Sequence, residues 1–127
     1  MPLWQIYHPP STFTTPSSKQ LLSADITSIY TRVGLPAFYV VVQFISTPAT
    51  DTFVGGQNPS RPFIRIVVDH IAVHLGEDST RMQKVVELVD VALKPHVSDM
   101  GYDWEFHIDE TPRGLWMING LVPPPCE

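Results

Sequence analysis

The sequence is short of cysteine and of positive charge, and each shortage excludes a class of protein. Cys126 is the one cysteine among 127 residues, which excludes an internal disulfide and a cysteine metal cage and favours a reducing, cytoplasmic location. Lysine and arginine number 8 against 13 aspartates and glutamates, so the formal net charge is -5. A nucleic-acid partner is not expected, because neutralising phosphates requires clustered cations.

Long apolar runs and metal-binding spacings are missing as well. No run approaches the roughly 20 apolar residues that span a bilayer, so we expect no membrane partner. The N-terminus has neither the charged region nor the long apolar region of a signal peptide. The histidines show no HxH or HExxH spacing, so no metal site is expected, and nothing in the sequence implies a cofactor.

The first half of the chain predicts a β-α-β unit. Residues 3–8 have the composition of a strand, and residues 38–45 are nearly all apolar, aromatic or β-branched, which is typical of a strand buried on both faces. Between them, Thr15 and Pro16 predict the start of a helix and Gly34 its exit. The apolar positions at helical spacing are Leu22, Ile26, Ile29 and Val33.

The second half predicts the same order of elements. Residues 63–68 and 102–108 have the composition of strands. Ser79 or Thr80 is the expected N-cap of the intervening helix, with Gln83 as the capping-box partner. The predicted apolar face of this helix consists of Met82, Val85, Val86, Val89, Leu93 and Val97.

Short matches between the halves indicate an internal duplication. PLWQIYH at residues 2–8 lines up with PFIRIVV at 62–68, and VGG at 54–56 lines up with ING at 118–120. A Thr-Pro pair also follows the second predicted strand of each half. Repeated short motifs in the same order are the signature of a duplicated unit.

These patterns predict an α/β fold, an α+β sandwich. We expect one domain over residues 1–127, built of two β-α-β repeats at about 2–56 and 62–120, with a proline-rich C-terminal tail. A β-α-β crossover makes its strands parallel, so two units side by side give a four-stranded mixed sheet with two helices on one face. The other face is apolar and uncovered, which predicts a homo-oligomer.

With this organisation, the chain resembles the tautomerase superfamily, and within it the cis-3-chloroacrylic acid dehalogenase-like branch. The resemblance implies tandem β-α-β units, a trimer, and catalysis by an N-terminal proline amine exposed when the initiator Met1 is removed. It is carried by Pro2 to Tyr7, Thr15-Pro16-Ser17 with Lys19, Ile26-Thr27, Gln43-Phe44, Phe53-Val54-Gly55-Gly56, Glu110 with Pro112, and Gly120 with Pro123.

The sequence departs from the dehalogenase at several functional positions. Tyr30 aligns with the family's helix histidine, and His70 and Val73 fall where the family has an arginine pair. Ile118 falls at a late catalytic glutamate. The family groups bind the substrate carboxylate and activate water, so their replacement argues against hydrolytic dehalogenation. A tautomerase needs fewer partners for its proline amine.

Pro2 is the residue on which the implied chemistry depends. A free α-amine has a pKa near 7.7–8.0, and burial lowers it by disfavouring the cation. A base is most useful when its pKa lies near the working pH. The implied reaction is proton transfer on a small 2-oxo acid or its enol. The alternative is that Pro2 merely permits the removal of Met1.

A carboxylic-acid substrate requires a cation. Arg65 lies in a strand otherwise made of apolar residues, where a charge is costly unless it is paired. It either binds the substrate carboxylate or pairs with a residue such as Asp69 or Glu105. Arg32 is a second candidate for the carboxylate, whereas Arg113, after the second Thr-Pro pair, is expected to be solvated.

The remaining candidates surround the reacting atoms. His70, Tyr30 or Tyr39 is expected to stabilise the enolate, although each also suits a position in the core. Glu105 and His107 alternate with aromatics along the last strand and favour a polar contact between subunits. The residues expected to line the substrate pocket are Trp4, Phe106 and Ile118.

The sequence thus predicts a tautomerase-like isomerase that acts on a small carboxylic acid without a cofactor. One alternative is a hydratase or dehalogenase of an unsaturated or halogenated acid. That reaction requires a water-activating carboxylate near Pro2, which Glu110 or Glu105 would supply. The other alternative is a non-catalytic trimeric binding protein that keeps the fold for assembly.

Overall fold

The structure is a computed structural model that describes residues 1–124, so Cys126 and the end of the proline-rich tail lie outside the described residues. In the described part, no helix is long and apolar enough to cross a membrane. The strands are β1 (Pro2–His8), β2 (Val41–Ser46), β3 (Phe63–Ile71) and β4 (Asp103–Thr111), and the helices are α1 (Pro16–Thr31) and α2 (Ser79–Leu93).

The four strands form one mixed sheet in the order β2-β1-β3-β4. The pairs β1/β2 and β3/β4 are parallel, and β1 runs antiparallel to β3. The predicted fold class is confirmed. Because β3 and β4 run against β1, both of them end where β1 begins. Pro2 is the register partner of His70, and His70 is the register partner of Glu110.

Both helices pack on the same face of the sheet. Alternate residues of β1 and β3 point toward them, as the period of a strand requires. Burying each large aliphatic side chain contributes about 1.5–3 kcal/mol. The fully buried members of this core are Trp4, Ile6, Leu22, Ile26, Ile64, Ile66, Val68, Val89, Leu93 and Val97.

The start of α1 is as predicted, and its end comes earlier. The Thr15 side chain accepts a hydrogen bond from the backbone N–H of Ser18 at 3.1 Å, and Pro16 occupies the first helical position. Val33 was expected on the apolar face of the helix but is 79% exposed, because the helix ends at Thr31.

The predicted cap of α2 is wrong by one residue. Asp78, rather than Ser79 or Thr80, is the N-cap: its carboxylate accepts hydrogen bonds from two backbone N–H groups of the first turn. A carboxylate there also interacts favourably with the helix dipole, which explains why it displaces a hydroxyl. Gln83 does not close a capping box and donates instead to Glu87.

Two expectations of burial are also corrected. Met82 and Val86 are 40% and 46% exposed, because the first turns of α2 border an open cleft beside β4 instead of the closed core. The second strand begins at Val41, since Ala37–Tyr39 form a 3₁₀ turn after Pro36. Its apolar residues are half-buried because β2 is an edge strand with one uncovered face.

Both units end in the same kind of turn. An antiparallel bridge joins Val54 to Gln57 in the first unit, and another joins Ile118 to Leu121 in the second. Asn119 has a φ of 50°, a left-handed conformation that glycine adopts more readily, and it stands where the first unit has a glycine. The second unit therefore repeats the local geometry of the first.

Candidate active site

The candidate site lies at the end of the sheet where β1 begins, called the amine end below. Pro2 is fully buried there. Met1 precedes it and exchanges two backbone hydrogen bonds with Ile71: its ammonium donates to the Ile71 carbonyl at 2.5 Å, and the Ile71 N–H donates to the Met1 carbonyl at 2.9 Å. While Met1 is attached, the Pro2 nitrogen is an amide without a basic lone pair.

A cleft of about 200 Å³ opens beside Met1. Its walls combine a buried tyrosine, an arginine and a tryptophan, and the Tyr39 and Trp116 rings lie 6.0 Å apart. Arg113 connects this cleft to a second one of about 470 Å³, which also contains Glu110. The residues lining the first cleft are Met1, Leu35, Tyr39, Ala72, Val73, Arg113 and Trp116.

Arg113 is the cation that the sequence reasoning missed. Its guanidinium lies 5.6 Å from the centre of the Trp116 ring and donates a hydrogen bond to the Pro123 carbonyl. These contacts hold the planar group in place and leave further N–H donors for an anion. The signal that locates it is the topology of the sheet. β4 ends at the end of the sheet where β1 begins, with β3 between them, so the residues that follow β4 lie at the amine end.

Three predicted site residues form one buried chain of hydrogen bonds. The indole N–H of Trp4 donates to the Tyr30 hydroxyl at 3.0 Å, and that hydroxyl lies 2.7 Å from Nε2 of His70. Burial raises the pKa of Tyr30 to about 12, against a smaller lowering by the Trp4 hydrogen bond. Burial also lowers the pKa of His70, so its imidazole is neutral at pH 7.

Smaller electrostatic effects on His70 come from its neighbours. The carboxylates of Glu110 and Asp69 act to raise its pKa, and the N-terminal ammonium acts to lower it. The imidazole is therefore within electrostatic reach of the chain terminus. The structure brings His70 and Tyr30 together behind Pro2, not on the wall of the cleft that contains Tyr39.

The two arginines proposed from the sequence lie elsewhere in the chain. Arg65 is paired with Tyr7, five register positions from the Pro2–His70 pair, which corresponds to roughly 17 Å along the strand. It forms a salt bridge to Glu105 at 3.2 Å and contacts His107 at 2.6 Å, on the face of the sheet away from the helices. Arg32 is exposed at the end of α1.

Phe106 and Ile118 lie in two different places. Phe106 stacks on Trp104 with ring centres 5.9 Å apart and lines a cleft of about 520 Å³ between β4 and the start of α2. Ile118 belongs to the turn that closes the second unit, where it bridges to Leu121. Neither residue lines the cleft beside Met1.

Glu110 is a carboxylate at the amine end, in register with His70. It follows His70 in the row of register partners across the sheet, and its side chain is 25% exposed. One carboxylate oxygen accepts the backbone N–H of Leu75 at 2.7 Å, and the other lies 3.3 Å from Nδ1 of His74. Among residues 1–124, no three histidine, cysteine or acidic side chains are grouped to hold a metal ion.

Comparisons with known proteins show the family to which the chain belongs. Residues 1–127 match the model of a family described as "Putative oxalocrotonate tautomerase enzyme". The crystal structure of native RhCC from Rhodococcus jostii RHA1 is 45% identical, with a TM-score of 0.87, and the match covers 97% of this chain and 86% of that one. A probable enzyme from the thermophilic fungus Aspergillus fumigatus is 42% identical, with a TM-score of 0.87 over 98% and 85% of the two chains.

A more distant likeness shows the fold alone. A member of the cis-3-chloroacrylic acid dehalogenase family is 15% identical, with a TM-score of 0.64, and the match covers 96% of this chain and 83% of that one. No protein of curated function matches the sequence.

Proposed function

We propose that this chain, which belongs to this family of oxalocrotonate tautomerase-like proteins, represents the cis-3-chloroacrylic acid dehalogenase-like branch of the tautomerase superfamily and catalyses proton transfer on a small 2-oxo acid or its enol. The Pro2 amine is the base, formed when Met1 is removed. The observation that carries the proposal is the position of Pro2, which is fully buried and directly follows Met1, a residue that lines a cleft together with Arg113.

Removal of Met1 has two consequences at this site. It converts the Pro2 nitrogen from an amide to a secondary amine, and it clears one wall of the cleft. A buried amine has a lowered pKa, so a larger fraction is the free base at neutral pH. In the reaction, Pro2 takes the proton from the enol oxygen, the C2–O bond becomes the carbonyl, and the resulting ammonium returns a proton to C3, the other carbon of the enol double bond. The amine is thereby regenerated.

Arg113 is the proposed carboxylate-binding residue. Its guanidinium borders the cleft beside Met1, and the Trp116 ring beneath it fixes its plane. A planar fork of N–H donors binds a carboxylate through two parallel hydrogen bonds. Tyr39, buried in the same cleft, is placed to donate a hydrogen bond to the enolate oxygen.

We further propose that the protein is a homo-oligomer, with three subunits as the superfamily resemblance implies. The sheet face away from the helices is uncovered in one chain, and its central residues are apolar or half-buried. An uncovered sheet face of this kind is stabilised by a second copy. Light scattering coupled to size exclusion measures the number of subunits.

The experiment that tests the function is ketonisation of enol phenylpyruvate by wild type and Pro2→Ala. Intact mass, measured on the same samples, gives the fraction of chains that have lost Met1. We expect wild type to accelerate ketonisation over the uncatalysed rate and Pro2→Ala to lose that acceleration. Met1-free wild type without activity contradicts the proposal and favours a binding role.

Glu110 supports a second candidate, hydration or hydrolytic dehalogenation of an unsaturated acid. It is the carboxylate that the fold brings to the amine end, whereas Glu105 lies on the other face and pairs with Arg65. A carboxylate beside the substrate activates water for such a reaction. Halide release from a 3-haloacrylate, lost in Glu110→Gln while ketonisation remains, selects this candidate. Equal loss of both activities rejects it.

A further inference from the structure

Nδ1 of His70 is a buried polar atom that has no hydrogen-bond partner among residues 1–124. The residue is 3% exposed. Such atoms are rare in folded proteins, because leaving one unpaired costs about 1–3 kcal/mol. Nε2 of the same ring is hydrogen-bonded to Tyr30, so the imidazole is held in place while Nδ1 has no partner.

The residue beside this imidazole is Pro2. Met1 and Ile71 exchange two backbone hydrogen bonds, so the next pair, Pro2 and His70, is the closer type of antiparallel pair, with Cα atoms about 4.5 Å apart. Both side chains are buried on the helix-facing side of the sheet. The terminal ammonium, close to His70 in this pairing, acts to lower the pKa of His70.

The hydrogen-bond chain fixes which nitrogen of His70 carries the proton. An indole N–H only donates, so the Tyr30 oxygen accepts from Trp4. The hydroxyl proton of Tyr30 then requires an acceptor, and its recorded neighbour is Nε2 of His70. A neutral imidazole that accepts at Nε2 has its proton on Nδ1.

We propose that, once Met1 is removed, the Nδ1–H of His70 donates a hydrogen bond to the Pro2 amine nitrogen, and that Trp4 and Tyr30 are positioning residues that hold the imidazole in this tautomer. A donor directed at the lone pair favours the neutral amine over the ammonium, so it increases the fraction of active base. The inference rests on the proposed function only in giving that amine a catalytic task.

The charged groups around His70 agree with a neutral donor. Burial dominates and keeps the ring uncharged, and the carboxylates of Glu110 and Asp69 only partly oppose it. The hydroxyl of Tyr30 keeps its proton at neutral pH, because burial raises its pKa to about 12. Loss of Met1 therefore supplies the missing partner of Nδ1, the Pro2 amine, without any change in the charge of His70, Tyr30 or Trp4.

Nitrogen NMR of Met1-free protein, labelled with ¹⁵N in proline and histidine, tests the inference without substrate. We expect His70 to be the Nδ1-protonated tautomer in wild type. His70→Leu is expected to raise the pKa of the Pro2 amine by about one unit, since it removes the donor. His70→Asn, whose amide retains an N–H near the Nδ1 position, is expected to restore part of the difference, and Tyr30→Phe to give a smaller rise.

A matched control is His96→Leu, which removes a histidine that pairs with Asp25 at 2.5 Å outside the site and is expected to leave the Pro2 pKa unchanged. An Nε2-protonated His70, or equal Pro2 pKa values in wild type and His70→Leu, overturns the inference. If His70→Leu does not fold, the wild-type tautomer and the Tyr30→Phe titration decide the question. A shifted Pro2 pKa in a protein without ketonisation activity supports the hydrogen bond and rejects the proposed function.

Discussion

The two ends of the sheet have the same local architecture and different chemistry. At the amine end, β1 starts with Pro2 and continues with Trp4, a hydrogen-bond donor. At the opposite end, β3 follows Pro62 and continues with Ile64, a fully buried member of the hydrophobic core. Pro62 follows Arg61, so its nitrogen is an amide whatever happens to Met1.

The helices and the turns repeat this difference. Tyr30 and Leu93 stand at the same distance from the N-caps of α1 and α2, and both are buried in the core. Arg113 and Ala49 each follow a Thr-Pro pair after the second strand of a unit. The opposite end shows that apolar side chains satisfy the fold at these positions. Trp4 and Tyr30 therefore carry polar groups that the fold does not require at these positions, and buried polar groups are costly, which is why we propose a function for them.

The largest expected effect is the difference in activity between substitutions of Pro2 and of Pro62. Pro2→Ala should lower kcat/KM for ketonisation by about 10²- to 10⁴-fold, the usual contribution of a general base. Pro62→Ala should leave kcat/KM close to wild type, because none of the proposed catalytic residues lies at that end. Steady-state kinetics of both variants, each with Met1 removed, measures the difference, and equal losses contradict the assignment.

The two arginines give the next comparison. Arg113→Ala should raise KM roughly 10- to 100-fold, since a hydrogen bond to a charged group contributes about 1.5–3 kcal/mol. Arg61→Ala removes an exposed salt bridge to Asp103 at the opposite end, at 3.1 Å, and should leave KM unchanged. Arg113→Lys keeps the charge and loses the planar pair of N–H donors, so its KM should lie between those of wild type and Arg113→Ala. An unchanged KM in Arg113→Ala rejects this carboxylate site.

The hydrogen-bond chain of Trp4, Tyr30 and His70 is expected to contribute to the free energy of unfolding. Tyr30→Phe should lower the free energy of unfolding by about 1–3 kcal/mol, because it leaves the Trp4 indole and Nε2 of His70 without a partner. In a His70→Leu background the same change should cost less, since one of the two partners is already gone. Urea unfolding of wild type, Tyr30→Phe, His70→Leu and the double variant measures the coupling energy between Tyr30 and His70. Additive effects would show that the network is not cooperative.

The smallest expected effect is the pH dependence contributed by His70. Burial places its folded pKa below the unfolded value of 6.5. The unfolded chain therefore takes up a proton at a higher pH than the folded chain. The stability from His70 is complete above about pH 6.5 and is lost as the pH falls toward the folded pKa, by at most about 1.4 kcal/mol per pH unit. His70→Leu should remove this component from urea unfolding measured between pH 7.5 and 5, and an identical slope in the variant contradicts it.

The sequence predicted the order of elements because local periodicity encodes it. The Thr15 cap is an interaction within one turn, so it was readable as well. The cap of α2 was misplaced by one residue because several adjacent side chains are able to cap. The exposure of Met82 and Val86 could not be predicted from the sequence, because it depends on how far α2 extends over the edge strand β4.

The site was less predictable because it is assembled from distant segments. Tyr30 and His70 were each selected from the sequence, but no local pattern shows that they meet 2.7 Å apart. Arg113 was expected to be solvated because it follows a proline turn near the end of the chain. Its position beside Met1 depends on the antiparallel pairing of β1 and β3, which the β-α-β pattern leaves open.

The central claim is that the Pro2 amine is the catalyst, and the most direct measurement relates activity to the state of the N-terminus. Protein preparations with different fractions of retained Met1, quantified by intact mass, are assayed for ketonisation of enol phenylpyruvate. We expect the specific activity to be proportional to the Met1-free fraction and to approach zero when Met1 is fully retained. Protein that keeps Met1 and is as active as the processed form would contradict it.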